Sequence, residues 1–207
     1  MLINFFELAT KGGWLMAVLF ILSIIAVTLF IERLITTKKA TSFEEKTYIE
    51  ILRMIDQKKT EEAFNICKLS DSTICKILEE GISYAASDIN LATETIEQSA
   101  SQFIRSLEKN LGTISTLAAI GPLIGFLGTV TGMIRVFITM AANETGADIQ
   151  TLSGGIYEAM ITTVGGLIVG IICIVFHNLL VSRIEAISFT IEAKITQVNV
   201  HLRRMQP

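Results

Sequence analysis

Three apolar runs without Asp, Glu, Lys or Arg divide the chain into segments of different character. They cover residues 12–31, 110–134 and 159–182. As helices rising about 1.5 Å per residue, all three are long enough to cross roughly 30 Å of hydrocarbon. The pattern therefore predicts three transmembrane helices. The first run ends in "IERLITTKK", without a small-residue cleavage site, which favours a retained span over a signal peptide.

The segment between the first two runs is polar but periodic. Apolar residues recur there at helical spacing, which predicts amphipathic helices: Tyr48, Ile51, Leu52 and Ile55; Ala63, Phe64 and Cys67; and Ile96, Phe103 and Leu107. No proline occurs between a capping signal at "SDIN" and Pro122, so we expect one helix to continue into the second span. The pattern of the tail "FTIEAKITQVNVHLRR" also predicts a helix. These extensions predict a cytoplasmic helical bundle whose apolar stripes are packing faces.

Composition and charge fix the class and the orientation. Hydrophobic residues make up 51% of the chain and the mean hydropathy is +0.56, which is typical of a membrane protein. Residues 32–109 carry eleven Lys and Arg and the tail after Ser182 carries four, whereas residues 139–157 carry none. Basic loops stay in the cytoplasm, so the N-terminus is expected outside and the C-terminus inside. The net charge of −3 gives no sign of nucleic-acid binding.

The predicted fold class is thus an all-α membrane protein with three transmembrane helices, N-out and C-in, and long helical cytoplasmic extensions forming a bundle. The expected segments are a periplasmic N-terminus with the first span, a cytoplasmic helical domain, the second span, a periplasmic loop, the third span and a cytoplasmic tail. Their boundaries are 1–35, 36–109, 110–142, 143–155, 156–182 and 183–207.

The glycine-rich stretch "GPLIGFLGTVTG" at 121–132 raises the question of a phosphate-binding loop. It lacks the lysine of a Walker loop and the Gly-x-Gly-x-x-Gly spacing of a dinucleotide fingerprint. On a helix, its glycines fall within about 60° of one another, and the third span repeats a stripe of small residues. Small residues let helices approach closely in lipid, so the second and third spans should pack tightly, within a subunit or around a ring. The stripes are Gly121, Gly125, Gly128 and Gly132; and Gly155, Ala159, Thr162, Gly166 and Gly170. The first span, rich in bulky residues, should face lipid.

Glu158 is the residue that packing does not explain. It is either a carboxylate at the end of the third helix or, if the helix begins near Ser153, a charge inside the membrane that must face water or a partner. Thr162, Thr163 and Thr129 supply hydroxyls along the seam. A carboxylate followed by hydroxyls suits a proton or cation path, although threonines also bond back to their own helix.

No catalytic or metal-binding set stands out. Cys67, Cys75 and Cys173 lack CxxC spacing and are interpreted as packed thiols, and His177 and His201 are isolated. We therefore expect no enzyme activity, no cofactor and no metal.

Two stretches, "AAIGPLIGFLGTVTGMIRVF" and "GGIYEAMITTVGGLIVGIICIVFHNLL", resemble the signature pair of the ExbB/TolQ/MotA proton-channel superfamily. The three-span layout is similar to ExbB and TolQ rather than to four-span MotA. The resemblance implies a bacterial inner-membrane homo-oligomer, a pentamer in the family, around the single-span helices of an ExbD- or TolR-like partner whose aspartate carries the proton. It also implies work on a TonB-like transducer for outer-membrane import.

Carried over by motif, Glu158 is the third-span glutamate, Thr163 the hydroxyl five residues on and Thr129 the hydroxyl of "GTV". Pro122 and the glycines form the packing seam, and Asn178 matches an asparagine at the cytoplasmic end of the third span. His177 stands where an aromatic residue is common, and the short N-terminus weakens a choice between ExbB and TolQ. A TolQ-like subunit for envelope maintenance, a gliding-type motor subunit and a passive membrane scaffold remain as alternatives.

Overall fold

The structure, a computed structural model, describes residues 13–41, 44–142 and 149–205. Within these ranges it contains α-helices and no strand. The helices are α1 (Gly13–Ala40), α2 (Glu45–Asp56), α3 (Thr60–Leu69), α4 (Thr73–Tyr84), α5 (Ile89–Glu108), α6 (Leu111–Ala142) and α7 (Ile149–Arg204). By length and composition, three stretches could cross a membrane: α1, the helical stretch that ends with α6, and α7 from Leu152. The prediction of an all-α membrane protein is confirmed.

The chain forms two compact units. The first contains α1 up to Glu32, α6, and α7 up to Leu179. Most large apolar side chains of this unit are exposed, including Phe20, Phe126 and Ile171. Such a surface requires lipid or other protein spans around it.

One face of α1 packs on α7 within this first unit. Leu15, Leu19 and Ala26 are buried, and the rings of Phe30 and Phe176 stack with centroids 3.9 Å apart. The expectation that the bulky first span faces lipid therefore needs correction for this face, since its side chains fill space against α7. The other faces of α1 remain exposed.

The second unit contains residues 33–109 and the chain from Leu180 onward. The apolar stripe of α2 is buried, as its helical spacing predicts, and α4 and α5 contribute further buried residues. Ile191, Val198 and Leu202 of α7 are also buried. The core of this unit is thus built from amphipathic helices and the tail of α7.

Polar contacts join α2 to that tail. The Tyr48 hydroxyl lies 2.9 Å from the Lys194 carbonyl oxygen and 3.0 Å from Oε1 of Gln197. Lys194 Nζ lies 2.6 Å from Glu45 Oε2 and 4.0 Å from the centre of the Tyr48 ring. Burial, with a smaller contribution from Glu45, raises the pKa of Tyr48 to about 12. The neutral phenol is therefore the form that packs here.

The helix predicted to run unbroken from the cap at "SDIN" into the second span is interrupted. Asp88 caps α5 as expected, accepting hydrogen bonds from the amides of Asn90 and Leu91. However, α5 ends at Glu108, and Asn110 adopts a φ of 67° before α6 begins. Asparagine tolerates this left-handed conformation, which ends one helix without a proline. The continuous-helix prediction is therefore wrong at Lys109 and Asn110.

Candidate functional site

The two stripes of small residues lie against each other in the first unit. A Cβ atom added to Gly166 of α7 would lie 2.5 Å from the Gly121 carbonyl oxygen and 2.8 Å from Gly125 Cα. One added to Gly128 would lie 2.5 Å from Thr162 Cγ2, and one added to Gly132 would lie 2.7 Å from Ala159 Cβ. Backbones this close leave no space for side chains. We call this α6–α7 contact the glycine seam.

Pro122 of α6 and Gly170 of α7 also belong to the glycine seam, at its end away from Glu158. Because proline has no N–H group, Pro122 cannot donate to the carbonyl of Ala118 in the preceding turn. A Cβ on Gly170 would lie 3.1 Å from that Ala118 oxygen and 2.7 Å from Pro122 Cγ. Glycine at position 170 therefore allows α7 to approach α6 where the proline ring protrudes.

The three candidate hydroxyls do not make equivalent contacts. Thr162 and Thr129 bond back to their own helices, donating to the carbonyls of Glu158 at 3.0 Å and Phe126 at 2.7 Å. Thr163 instead donates across the seam to the Gly125 carbonyl at 2.8 Å. The hydroxyl of Thr163 therefore joins α7 to α6 through a hydrogen bond.

Glu158 lies inside α7 rather than at its end. The helix begins at Ile149, so the glutamate is in the third turn, about 14 Å along the axis at 1.5 Å per residue. The interpretation of Glu158 as a carboxylate at the helix terminus is therefore wrong. Its side chain is 38% exposed, and a Cβ added to Gly13 of α1 would lie 2.5 Å from its Oε1 atom. The carboxylate thus lies beside the first residue of α1.

Arg135 of α6 is the partner that sequence reasoning missed. Its Nη1 atom lies 3.6 Å from Glu158 Oε1, with the arginine side chain 67% exposed. The signal was present in "MIRVF", because Arg135 directly follows the second apolar run. A charge next to a glycine-rich span requires water or an opposite charge, and Glu158 supplies the latter.

The charge pair borders a cavity of about 180 Å³ near the end of α6, which we call the vestibule. Its lining includes the polar side chains of Arg135, Thr139 and Glu158 and the apolar side chains of Val136, Met140 and Leu152. A second cavity of about 20 Å³, lined by Gly13, Thr131, Arg135, Glu158 and Thr162 among others, is the right size for one water molecule. Glu158 therefore lines both cavities, and each is large enough to hold water.

The structure separates the predicted hydroxyls into two groups. At 100° per residue, Thr162 is about 40° from Glu158 around α7, whereas Thr163 is about 140° away. Accordingly, Thr162 lines the smaller cavity with Glu158, while Thr163 and Thr129 line neither cavity. The single row of carboxylate and hydroxyls expected from the sequence is therefore not formed within one chain.

Asn178 is exposed at the far end of the first unit's part of α7, and its Oδ1 atom lies 3.4 Å from Nδ1 of His177. This is a contact between neighbours in sequence. The contact does not connect His177 to Glu158 or to the hydroxyls of Thr129, Thr162 and Thr163.

The cysteines are buried. Cys67, Cys75 and Cys173 are free thiols. Hydrogen bonding to Cys75, together with burial, raises the pKa of the Cys67 thiol, and the same hydrogen bond lowers that of Cys75 to about 6. Among the residues that the structure describes, no cluster of His, Cys, Asp and Glu is suited to hold a metal ion.

Comparison of the sequence with known proteins relates this chain to proteins of one family. A biopolymer transport protein named ExbB-like 3 of Synechocystis sp. is 28% identical over 172 residues, covering 81% of this chain and 80% of that protein. TolQ of the Tol-Pal system of Haemophilus influenzae is 36% identical over 84 residues, or 41% of this chain and 36% of TolQ. The biopolymer transport protein ExbB of Salmonella typhimurium is 31% identical over 94 residues, or 45% of this chain and 38% of ExbB.

The regions matched in TolQ and in that ExbB are thus less than half of those proteins. The sequence profile described as the MotA/TolQ/ExbB proton channel family matches residues 69–193, more than half of the chain, including α6, Glu158 and the glycine seam. The chain therefore belongs to the MotA/TolQ/ExbB proton channel family.

Proposed function

We propose that this chain is the ring-forming subunit of an inner-membrane proton motor. A homo-oligomer, with five subunits as the family resemblance implies, encloses the single-span helices of an ExbD- or TolR-like partner. Proton flow through this complex does work on a TonB-like transducer and so drives import across an outer membrane. The chain is oriented with its N-terminus in the periplasm and its second unit in the cytoplasm.

The observation that carries the proposal is the position of Glu158. An ionisable side chain lies in the third turn of a membrane-spanning helix, beside a close helix seam and a space that admits water. A charged side chain costs roughly 2.5 to 3.5 kcal/mol on insertion scales when it lies at the centre of a span, and ionisable groups within spans mark ion or proton pathways. The alternative of a passive scaffold instead predicts that Glu158→Gln leaves proton-driven activity unchanged.

The proposed partner would supply an aspartate, a residue that the apolar runs of this chain lack. The four aspartates of the chain are Asp56, Asp71, Asp88 and Asp148, all outside the apolar runs. The family resemblance implies that an aspartate of an ExbD- or TolR-like partner takes up and releases the proton at mid-membrane. Glu158 then serves access to that group rather than replacing it.

The division of the hydroxyls suggests two functional faces. Glu158 and Thr162 line the cavity that reaches α1, whereas Thr129 and Thr163 lie on the other side of the glycine seam and are partly exposed. We assign the first pair to proton access and the second to hydrogen bonding with the partner's carboxyl group. Asn178, exposed further along α7, is assigned to the cytoplasmic end of the same partner-facing side.

The energetics require coupling of several protons or a sizeable potential. One elementary charge moved through 100 mV releases about 2.3 kcal/mol. That is comparable to a few hydrogen bonds and far below the energy of unfolding a domain. A ring of identical subunits offers repeated sites at which such steps can add.

A TolQ-like role in envelope maintenance is the second candidate, favoured by the 36% identity to TolQ over 84 residues. Complementation separates the two roles. The chain should be expressed, together with an ExbD- or TolR-like single-span protein, in a strain lacking its own import motor and in one lacking its own envelope motor. Restored siderophore- or vitamin-dependent growth supports import, and restored detergent resistance supports envelope maintenance. Restoration of neither, with the complex present in the membrane, would refute both.

A further inference from the structure

Arg135 and Glu158 come from different helices and meet at the vestibule. Their side chains are 67% and 38% exposed, and the closest nitrogen and oxygen are 3.6 Å apart. That separation is an ion pair, but it is too long for a tight hydrogen bond. Arg135 is therefore the charged side chain placed to hold the Glu158 carboxylate at the vestibule.

Other residues besides Arg135 lie close to the Glu158 carboxylate. Gly13 of α1 lies against one carboxylate oxygen, and Thr162 and Thr131 line the small cavity beside it. None of these three residues carries a charge. Arg135 is thus the positive charge found beside Glu158 within residues 13–41, 44–142 and 149–205. A guanidinium group carries its positive charge at every physiological pH.

We propose that Arg135 is the positioning residue for Glu158, holding its carboxylate at the wall of the vestibule and beside the small cavity that Thr162 also lines. This inference rests on the proposed function, in which Glu158 provides access to the proton path. In this arrangement a proton or hydrated cation reaches Glu158 from the vestibule. Arg135 keeps the Glu158 side chain from rotating away from the vestibule along α7.

The first arm of the test measures the charges in the vestibule without any transport assay. Thr139, on the vestibule wall, is replaced by cysteine in the purified full-length chain, and its rates of reaction with a cationic and an anionic methanethiosulfonate reagent are measured by mass spectrometry. The native thiols are buried and provide the background. The ratio of cationic to anionic rates reports the local charge.

Four versions of the reporter chain form a cycle: unchanged, Glu158→Gln, Arg135→Gln and both together. In the unchanged chain, we expect Glu158→Gln to lower the ratio of cationic to anionic rates several-fold. In the Arg135→Gln chain, the same substitution should lower that ratio by less than half as much, because the carboxylate is no longer held at the vestibule. Arg135→Lys should behave as the unchanged chain. Arg183→Gln, an exposed arginine of the second unit, is the matched control and should leave the ratio unaltered.

Equal effects of Glu158→Gln with and without Arg135 would show that the arginine does not position the carboxylate, and would overturn the proposal. The second arm measures proton-driven growth. Arg135→Gln should lose activity as Glu158→Gln does, with Arg135→Lys restoring it at equal complex abundance. Full growth with Arg135→Gln beside loss with Glu158→Gln would also overturn it. Full growth with Glu158→Gln would instead refute the proposed function, and the reagent cycle would still decide the role of Arg135.

Discussion

Gly166 of α7 lies against the backbone of Gly121 of α6, so that a single added methyl group would lie 2.5 Å from the Gly121 carbonyl oxygen. Backbone atoms cannot rotate away as side chains do. The glycine seam is therefore the part of the first unit least able to accept an added atom.

Replacement of Gly166 by alanine should separate α6 and α7. Overpacking of this kind typically costs about 1 to 3 kcal/mol. We expect lower thermal stability and less assembled oligomer on native gels. Gly154→Ala is the matched control in the same helix, because nothing lies within 4 Å of the methyl position there. It should be neutral or slightly stabilising, since alanine favours helix by up to about 1 kcal/mol over glycine. Equal behaviour of the two variants would contradict the seam.

Thr163→Val should weaken the seam in a different way. It replaces the hydroxyl that donates to Gly125 across the interface with a methyl group of similar size. The expected loss is about 0.5 to 1.5 kcal/mol of unfolding free energy, measured by denaturant titration in detergent. Thr163→Ser should retain most of the stability. Thr129→Val should cost less, because its hydroxyl bonds to its own helix; a larger cost for Thr129→Val would argue against this assignment.

Tyr48→Phe should destabilise the second unit by about 0.5 to 1.5 kcal/mol, because it removes the hydroxyl that contacts Lys194 and Gln197. Tyr84→Phe, on an exposed ring, is the control. The raised pKa of Tyr48 adds a pH dependence. Its stabilising contribution is present below the ordinary value of 10.0 and is lost as pH rises towards about 12. Unfolding followed by circular dichroism should show this loss in the native chain and not in Tyr48→Phe.

The orientation predicts which positions react from outside the cell. A cysteine at Ala142, the last residue of α6, should react with an impermeant thiol reagent in intact cells. A cysteine at Leu69, which is 89% exposed at the end of α3, should react only after the cells are opened. Labelling of position 69 alone in intact cells would invert the topology.

The sequence predicted most of the helices because their signals are local. Uncharged runs and helical spacing are properties of neighbouring residues, and the burial of Tyr48, Ile51 and Ile55 follows from them. The break at Asn110 was not predictable in the same way. It depends on one left-handed residue, in a stretch that has neither proline nor glycine at the break.

The candidate site was predictable only in part, because its geometry depends on two helices at once. Spacing brings Glu158 and Thr162 to one face, but Thr163 follows immediately and lies on another. Arg135 and Glu158 are 23 positions apart (158 − 135), and no periodicity within one helix brings them together. The contact is set by the register of the glycine seam, which becomes visible once α6 and α7 are packed.

The most direct measurement is proton flux through the purified complex. The chain and its single-span partner are reconstituted in liposomes that contain a pH-sensitive dye, and a potassium diffusion potential drives protons inward. We expect flux above that of empty liposomes for the native complex, and at least a tenfold reduction for Glu158→Gln at equal protein content. Gly154→Ala serves as the control that should retain native flux. Native flux through the Glu158→Gln complex would contradict the assignment of Glu158 to the proton path.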